Sequence, residues 1–463
     1  MNIYNKEVDK MNTEIFKAYD IRGKYPEDIN EEVARIIGKS YGSYLQQFFN
    51  KKKCVVGHDN RLSSQSITNS LIDGLLSSGI NVIDYGEITT PMHYYTRYKE
   101  KAFGIMVTAS HNPKDDNGFK FSFDDLANAR GSMIEEFKEY TLKGLFLHGE
   151  GTLVQRDIHD DYIQYMKDNI CLGSKKVKAV FDMGNGVTTT IIKDIIKEFP
   201  SIEAYYICDE SDGTFPNHHP DPAVEDNMKM LKEKVLEVKA DIGIGFDGDG
   251  DRIGVINEQG NFVLADKMMI VAVRDMINKV QNKTFLCDVK CSKSLIDEIE
   301  RLDAKCYMNR TGTSFTESST KLNNIPLGGE LSGHIFFNDR GPEVCSAIYA
   351  GLRLIEILSK TNQTFTELLD GIKHYYSTPE IKIECDNKKK FEVVEKVKEY
   401  VKEKGYNYID IDGVRINFDN SWALIRASNT GPNLTLRFEA IDENTLKEKQ
   451  NEFENLITNL KEK

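Results

Sequence analysis

Short β-branched apolar runs alternate with stretches of helical spacing through most of the chain. "KCVVGHD" (53–59) is a continuous apolar run of strand length. "SQSITNSLIDGLLSSG" (64–79) repeats apolar residues at helical intervals and ends on a glycine suited to a helix C-terminus. "NVIDYGE" (81–87) and "FGIMVTAS" (103–110) read as strands with a helical stretch between them. Strand and helix alternating in this way predict βαβ units around a largely parallel sheet.

The pattern restarts twice. "VKAVFDMGNG" (177–186), a helix, "AYYICDE", a helix from Ala223 and "ADIGIGFDGDGD" form a second unit. "KTFLCDVKC" (283–291), a helix, "CYMNRTGTS", a helix and "GGELSGHIFF" form a third. Near Tyr375 the order changes to a strand "EIKIECD", a lysine-rich helix, three close strands and a last helix. The expected fold class is therefore α/β: three similar α/β domains with mixed, largely parallel sheets, and a smaller α+β C-terminal domain around a central cleft. Boundaries are placed at 1–157, 158–260, 261–373 and 374–463. In open α/β sheets ligands gather at strand carboxyl ends. The polar, glycine-containing stretches "TASHNP", "DGDGDR", "RTGTS" and "GELSGH" stand there, and "RASNTGPN" follows a strand in the tail.

Composition narrows the partners. A chain of 463 residues, 40% hydrophobic and 29% charged, has ample core. Its net charge of −13 argues against nucleic acid or an anionic membrane as partner, while leaving room for a small anion in a locally cationic cleft. No apolar run is long enough to span a bilayer. The polar, acidic opening "MNIYNKEVDKMNTEIF" lacks the form of a signal peptide, and Met1 and Met11 both stand as candidate starts. Eight scattered cysteines without zinc-ligand spacing are expected as reduced thiols in a cytoplasmic protein.

Candidate chemistry lies in the loops. Gly38-Lys39-Ser40-Tyr41-Gly42 matches a nucleophile elbow literally, but it falls inside a helical pattern that Asn30 can cap, so the motif is rejected. Asp247, Asp249 and Asp251 alternate after an apolar strand, and hard carboxylate oxygens at that spacing suit Mg²⁺ or Ca²⁺, with a Mg²⁺ site completed by phosphate and water the better fit. An EF-hand is excluded because Arg252 occupies the sixth position, where that loop needs glycine. Arg426, Ser428, Thr430 and Gly431 combine a forked cation, hydroxyls and close backbone amides, a set suited to phosphate. Glu330 and Ser332 place a carboxylate beside a hydroxyl, suited to sugar hydroxyls. Lys120 and Lys290 follow apolar runs, where acid–base partners of a sugar phosphate can stand.

Taken as an ordered set, "TASHNP", "DGDGDR", "GELSGH" and "RASNTGPN", with "FKAYDIRG" (16–23) before them, resemble the α-D-phosphohexomutase superfamily and its phosphomannomutase/phosphoglucomutase branch. The resemblance spans essentially the whole chain. It implies four domains around a cleft, a phosphoserine at Ser110, and one Mg²⁺ on Ser110, Asp247, Asp249 and Asp251. It further implies catalytic roles for Arg22, His111, Lys120 and Lys290, and substrate contacts from Tyr19, Arg252, Thr313, Glu330, Ser332, His334, Arg426, Ser428, Asn429 and Thr430. Family members of this specificity often carry histidine where "RTGTS" has Thr313, so a hydroxyl replaces a proton carrier there. The implied reaction interconverts hexose 1-phosphate and hexose 6-phosphate, with hexose 1,6-bisphosphate as intermediate and activator. The expected partner is a phosphosugar, and the expected state a monomer or homodimer. A phosphoglucosamine mutase, a phosphosugar hydrolase and a non-catalytic phosphosugar-binding protein are the alternatives.

Within "VTASHNP", alternation at a strand end directs Ser110 and His111 apart, so His111 is expected to be a neighbour of the phosphoryl group and not the serine's base. Lys120 is expected to titrate as general acid or base if nearby cations depress its pKa.

Overall fold

A computed structural model describes Val8 and residues 11–341, 345–386, 389–428 and 431–462. The chain builds four sheets in succession. The first has the strand order Ile21–Lys24, Asp116–Phe121, Phe103–Val107, Lys53–His58, Asn81–Glu87, Leu153–Gln155. Its interior strands read "CVVGH" and "FGIMV" without alternation because helices cover both faces and every one of these residues is buried. Pairing is parallel from Phe103–Val107 to Leu153–Gln155 and antiparallel at the other edge. The second and third sheets repeat this mixture of parallel and antiparallel pairs. The fourth is antiparallel throughout, with the helices Lys389–Glu403 and Glu443–Glu462 against it.

The elbow-like segment lies in the helix Glu31–Phe49, whose first turn is closed by Asn30 Oδ1 accepting from the Val33 amide at 3.0 Å. Its glycines serve packing. A Cβ on Gly38 would stand 2.2 Å from the Leu71 carbonyl oxygen of the neighbouring helix, so the two backbones approach as closely as they do only with glycine there. Second and third sheets share one apolar core, partly because the helix Ala347–Ser359 packs on the second sheet. The single tryptophan, Trp422, joins the third and fourth sheets in a small cluster with Val289 and Leu424.

Two expectations need correction. The helix expected from Ala223 begins as a 3-10 turn at Glu225–Met228 and becomes α-helical only at Lys229. Four strands, not three, follow the lysine-rich helix, because Asn407–Ile409 pairs with Val414–Asn417. The loops "TASHNP", "DGDGDR", "GELSGH" and "RASNTGPN" stand at strand ends as expected, and each connects two antiparallel neighbours. Among the described residues no helix is long and apolar enough to cross a membrane.

Candidate active site

Four hairpin tips converge, and the geometry of each follows from its return strand. Ser110 lies three residues beyond the strand Phe103–Val107 with φ +53°, a left-handed conformation that costs a non-glycine residue on the order of 1 kcal/mol. Two arginines, Arg61 buried and Arg22 half-buried, hold it there. Arg22 donates to the Ala109 carbonyl at 3.0 Å and to Asn112 Oδ1 at 2.7 Å. Arg61 donates to the carbonyls of Ser110, Asn112, Pro113 and Asp116 at 2.7, 2.7, 2.5 and 3.0 Å. Sequence reasoning missed Arg61; a charged "DNR" directly after an apolar strand was the available signal.

The strand rule does not apply past the strand's end. The left-handed turn brings Ser110 Oγ within 3.3 Å of His111 Nδ1, so the two side chains meet where divergence was expected. Burial first, then Arg252 and Arg22, depress the His111 imidazole well below its usual pKa and keep it neutral.

Ser110 Oγ also donates to Asp247 Oδ2 at 2.7 Å. The other oxygen of Asp247 accepts from the amides of Gly250, Asp251 and Arg252, each at 3.0 Å, which closes the hairpin tip around the carboxylate. Gly248 lets this tip reach the serine loop: a Cβ there would stand 2.6 Å from the Ser110 carbonyl oxygen. Asp247, Asp249 and Asp251 are fully buried and present converging oxygens. Asp249 Oδ1 and Asp251 Oδ1, both buried, have no hydrogen-bond partner. Burial, Asp249 and Asp251 push the Asp247 carboxyl well above the usual range, and the nearby Arg252 and Lys120 only partly offset them. An all-oxygen donor set with orphaned oxygens fits a hard divalent ion.

Lys120 stands on the return strand beside Met106 and reaches the same aspartates, with Nζ 2.7 Å from Asp249 Oδ2 and 2.7 Å from Asp251 Oδ2. Burial acts to lower its pKa, but Asp249 and Asp251 outweigh it and raise the ammonium well above its ordinary value. Neighbouring cations therefore do not depress it. Thr90 and Thr108, both missed from sequence, donate to Asp249 Oδ2 at 2.7 and 3.1 Å.

Glu330 and Ser332 lie in a turn between Leu327–Gly329 and Ile335–Phe337, and their side chains touch at 3.1 Å. Glu330 Oε1 accepts from the Gly312 amide at 3.0 Å and from Thr316 at 2.8 Å. Burial and the nearby Asp288 push its carboxyl up to about 7. Thr313 begins the helix Thr313–Leu322, half-buried beside Gly312. His334 turns inward: its Nε2 accepts from Arg252 Nε at 3.1 Å, so it orients that guanidinium. Burial lowers its imidazole to about 3. Tyr19 lies among Arg22, Arg252 and Glu330, whose charges act on its hydroxyl.

At the fourth tip Arg426 is buried and paired with Asp412 at 3.0 and 3.2 Å, while Ser428 Oγ accepts from the Gly431 amide at 3.2 Å. Lys390, missed from sequence, donates to the carbonyls of Ser428 and Gly431 at 2.7 and 3.0 Å and so braces this loop. Asn429 and Thr430 lie outside the described residues. Lys290 pairs with Glu380 at 2.9 Å across the third and fourth sheets.

A serine held against converging buried carboxylates, in a four-unit architecture of sheets and helices, has the chemistry that a phosphoryl-transferring enzyme needs. Four family models match the chain domain by domain. Phosphoglucomutase/phosphomannomutase alpha/beta/alpha domains I, II and III match residues 13–147, 160–260 and 265–375, and the C-terminal domain matches 380–456. A phosphomannomutase/phosphoglucomutase of Pseudomonas aeruginosa is 37% identical over 447 residues, 96% of this chain and 95% of its own. A phosphoglucomutase of Neisseria gonorrhoeae is 34% identical, with 96% of each chain covered. A crystal structure of a phosphoglucomutase/phosphomannomutase family protein from Burkholderia thailandensis superposes with a TM-score of 0.90 at 32% identity, covering 97% of this chain and 98% of that one. The chain belongs to the phosphoglucomutase/phosphomannomutase family of the α-D-phosphohexomutase superfamily, a family of phosphoryl-transferring enzymes.

Proposed function

We propose that this chain interconverts hexose 1-phosphate and hexose 6-phosphate, of mannose, glucose or both, through a phosphorylated Ser110 and a hexose 1,6-bisphosphate. The observation that carries this reading is the 2.7 Å contact of Ser110 Oγ with Asp247 inside the carboxylate cluster. The phosphoryl group passes from Ser110 Oγ to a sugar hydroxyl, breaking one P–O bond and forming another, and the second phosphate of the bisphosphate later returns to the serine. Asp247, Asp249 and Asp251 would hold one Mg²⁺, which when bound neutralises charge on the transferring group.

Arg22 and Arg61 fix the serine loop. Neutral His111 stands beside Oγ. Lys120 is the acid–base group of this reading, acting first as a proton donor because its carboxylate neighbours keep it charged. Glu330 and Ser332 accept hydroxyls of the sugar in both orientations, with Thr313 and Tyr19 at the edge. Arg426 and Ser428, with Asn429 and Thr430, bind the phosphate that is not reacting. Arg252, oriented by His334, and Lys290 complete the cationic lining. The four domains, divided at 157, 260 and 373, each bring one loop to this cleft. The reading places the chain in a reducing cytoplasm, which eight free thiols support, as a monomer or homodimer with a phosphosugar partner and neither nucleic acid nor membrane.

The test is a coupled assay on glucose 1-phosphate and mannose 1-phosphate with glucose 1,6-bisphosphate as activator, combined with phosphate labelling. Ser110→Ala must lose both the label and most turnover, and an intact rate would remove the mechanism. Chelation must abolish activity and Mg²⁺ restore it.

A further inference from the structure

Behind the aspartate hairpin stands a second group of ligand atoms that the phosphoryl chemistry does not use. Asp182 ends the strand Val177–Asp182, and Cys208 follows its parallel neighbour Ile202–Ile207. His218 comes from the segment 209–222, which folds back over both strand ends. One atom from each of the three side chains lies within 4.8 Å of the other two. His218 Nε2 is 3.1 and 3.0 Å from the two oxygens of Asp182, while Nδ1 faces the His219 carbonyl at 3.0 Å. The Cys208 sulfur stands within 4.8 Å of both the imidazole and the carboxylate.

This wiring is not that of a nucleophile relay, in which acid and thiol take opposite ring nitrogens and do not touch each other. All three groups meet one another here, as ligands of a common centre do. The ring nitrogen turned away from the cluster is held by a backbone carbonyl, the outer contact that fixes the tautomer of a metal-ligating histidine.

We propose that Asp182, Cys208 and His218 bind one borderline-soft divalent cation of the zinc class, with water in the fourth position. Thiolate, imidazole and carboxylate suit such an ion, whereas the all-oxygen aspartate loop suits a hard one, so donor chemistry sorts two metals between neighbouring sites. The charge balances. Without the ion, both ring nitrogens face acceptors, so the group is imidazolium, thiol and carboxylate and sums to zero. Binding releases the Nε2 proton and the thiol proton, and cation, thiolate, carboxylate and neutral imidazole again sum to zero. Asp182 is 1% exposed but the His218 side chain 14%, so the approach is from the histidine side.

The bound ion would clip a segment wedged against the catalytic loops. The Phe215 ring lies 5.3 Å from the Arg61 guanidinium, and Asn60 Nδ2 donates to Ser211 Oγ at 2.9 Å and to the Asn185 carbonyl at 2.7 Å. Pro220 lies against Gly248 of the aspartate hairpin. Occupancy would thus steady both the arginine under Ser110 and the loop opposite it.

The experiment titrates Co²⁺ into the chelator-treated full chain with Mg²⁺ in excess, following near-ultraviolet thiolate-to-cobalt absorption. The aspartate loop has no thiol and cannot give that band. The expected result is a band saturating at one Co²⁺ per chain and displaced by Zn²⁺. Cys208→Ser is expected to abolish it, His218→Gln to weaken cobalt binding at least about tenfold, and Cys171→Ser, at an exposed thiol, to leave it intact. Should Cys208→Ser fail to fold, His218→Gln decides in its place. Absence of the band in the unaltered chain, a band surviving Cys208→Ser, or an unchanged cobalt affinity in His218→Gln overturns the site. Neither outcome bears on Ser110 labelling, so this site and the mutase reading stand or fall separately.

Discussion

Replacing Arg61 with lysine separates what holds the serine loop from what reacts on it. The arginine makes five hydrogen bonds, four to loop carbonyls and one through Nε to Asp59 Oδ2 at 3.1 Å, with a side chain 0% exposed. Lysine carries the same charge but only three donors, so two of these bonds are lost, and because the Pro113 carbonyl also accepts from the Asp116 amide one or two buried acceptors are left unsatisfied. At about 1–3 kcal/mol for each unsatisfied group the change costs about 1–6 kcal/mol. Part of that cost is relieved by releasing Ser110 from its left-handed turn, which moves Oγ away from Asp247. A share of about 2 kcal/mol appearing in the transition state lowers kcat by about 30-fold. KM for the hexose phosphate is expected to change little, because Arg426 and its loop are untouched. The assay is steady-state turnover with saturating bisphosphate, read beside urea unfolding. A kcat within threefold of the unaltered enzyme, with an unchanged unfolding midpoint, would refute the claim that Arg61 positions the serine.

Glu330→Gln is expected to remove an inflection from the pH dependence of kcat/KM. The carboxyl, raised to about 7 by burial and Asp288, is protonated as pH falls through that value, and its acceptor charge for sugar hydroxyls goes with it. Because the folded pKa lies above the ordinary one, the same group makes the fold lose stability as pH rises from about 4.5 to 7, and an identical pH profile in the variant excludes it as the source. Gly248→Ala forces a Cβ to 2.6 Å from the Ser110 carbonyl, so a loss of about 1–3 kcal/mol and a fall in serine phosphorylation are expected. Unchanged labelling would show that the hairpin approach is not needed. Arg415 lies 3.8 Å from the Trp422 ring and donates to the Val289 and Cys291 carbonyls. Arg415→Ala is expected to cost about 2–6 kcal/mol and to bring the tryptophan fluorescence transition to lower denaturant, and an unmoved midpoint counts against that anchor.

Local signals were sufficient for much of this protein. Asn30 before a 3.6-residue repeat marked a helix start, because the cap is made within one turn of chain. "CVVGH" and "FGIMV" marked covered strands, because burial on both faces leaves no polar alternation. The aspartate triplet and the ordered loop motifs marked the site proposed above, since carboxylate spacing and loop composition are written in consecutive residues. Family resemblance then joined loops that lie far apart along the chain.

What lay beyond the sequence was every feature set by distant partners. Hairpin and strand-to-helix tips look alike in composition, and only the pairing of Phe103–Val107 with Asp116–Phe121 and of Ile242–Phe246 with Ile253–Asn257 shows which they are. Lys120 depends on the same fact: the return strand delivers it to Asp249 and Asp251, and those carboxylates reverse the expected direction of its pKa shift. Arg61 and Lys390 look like any surface cation until the carbonyls they serve are in place. Residue types and their local spacing could name the chemistry. The charge state and reach of each group depended on neighbours that only the tertiary fold brings within hydrogen-bonding distance.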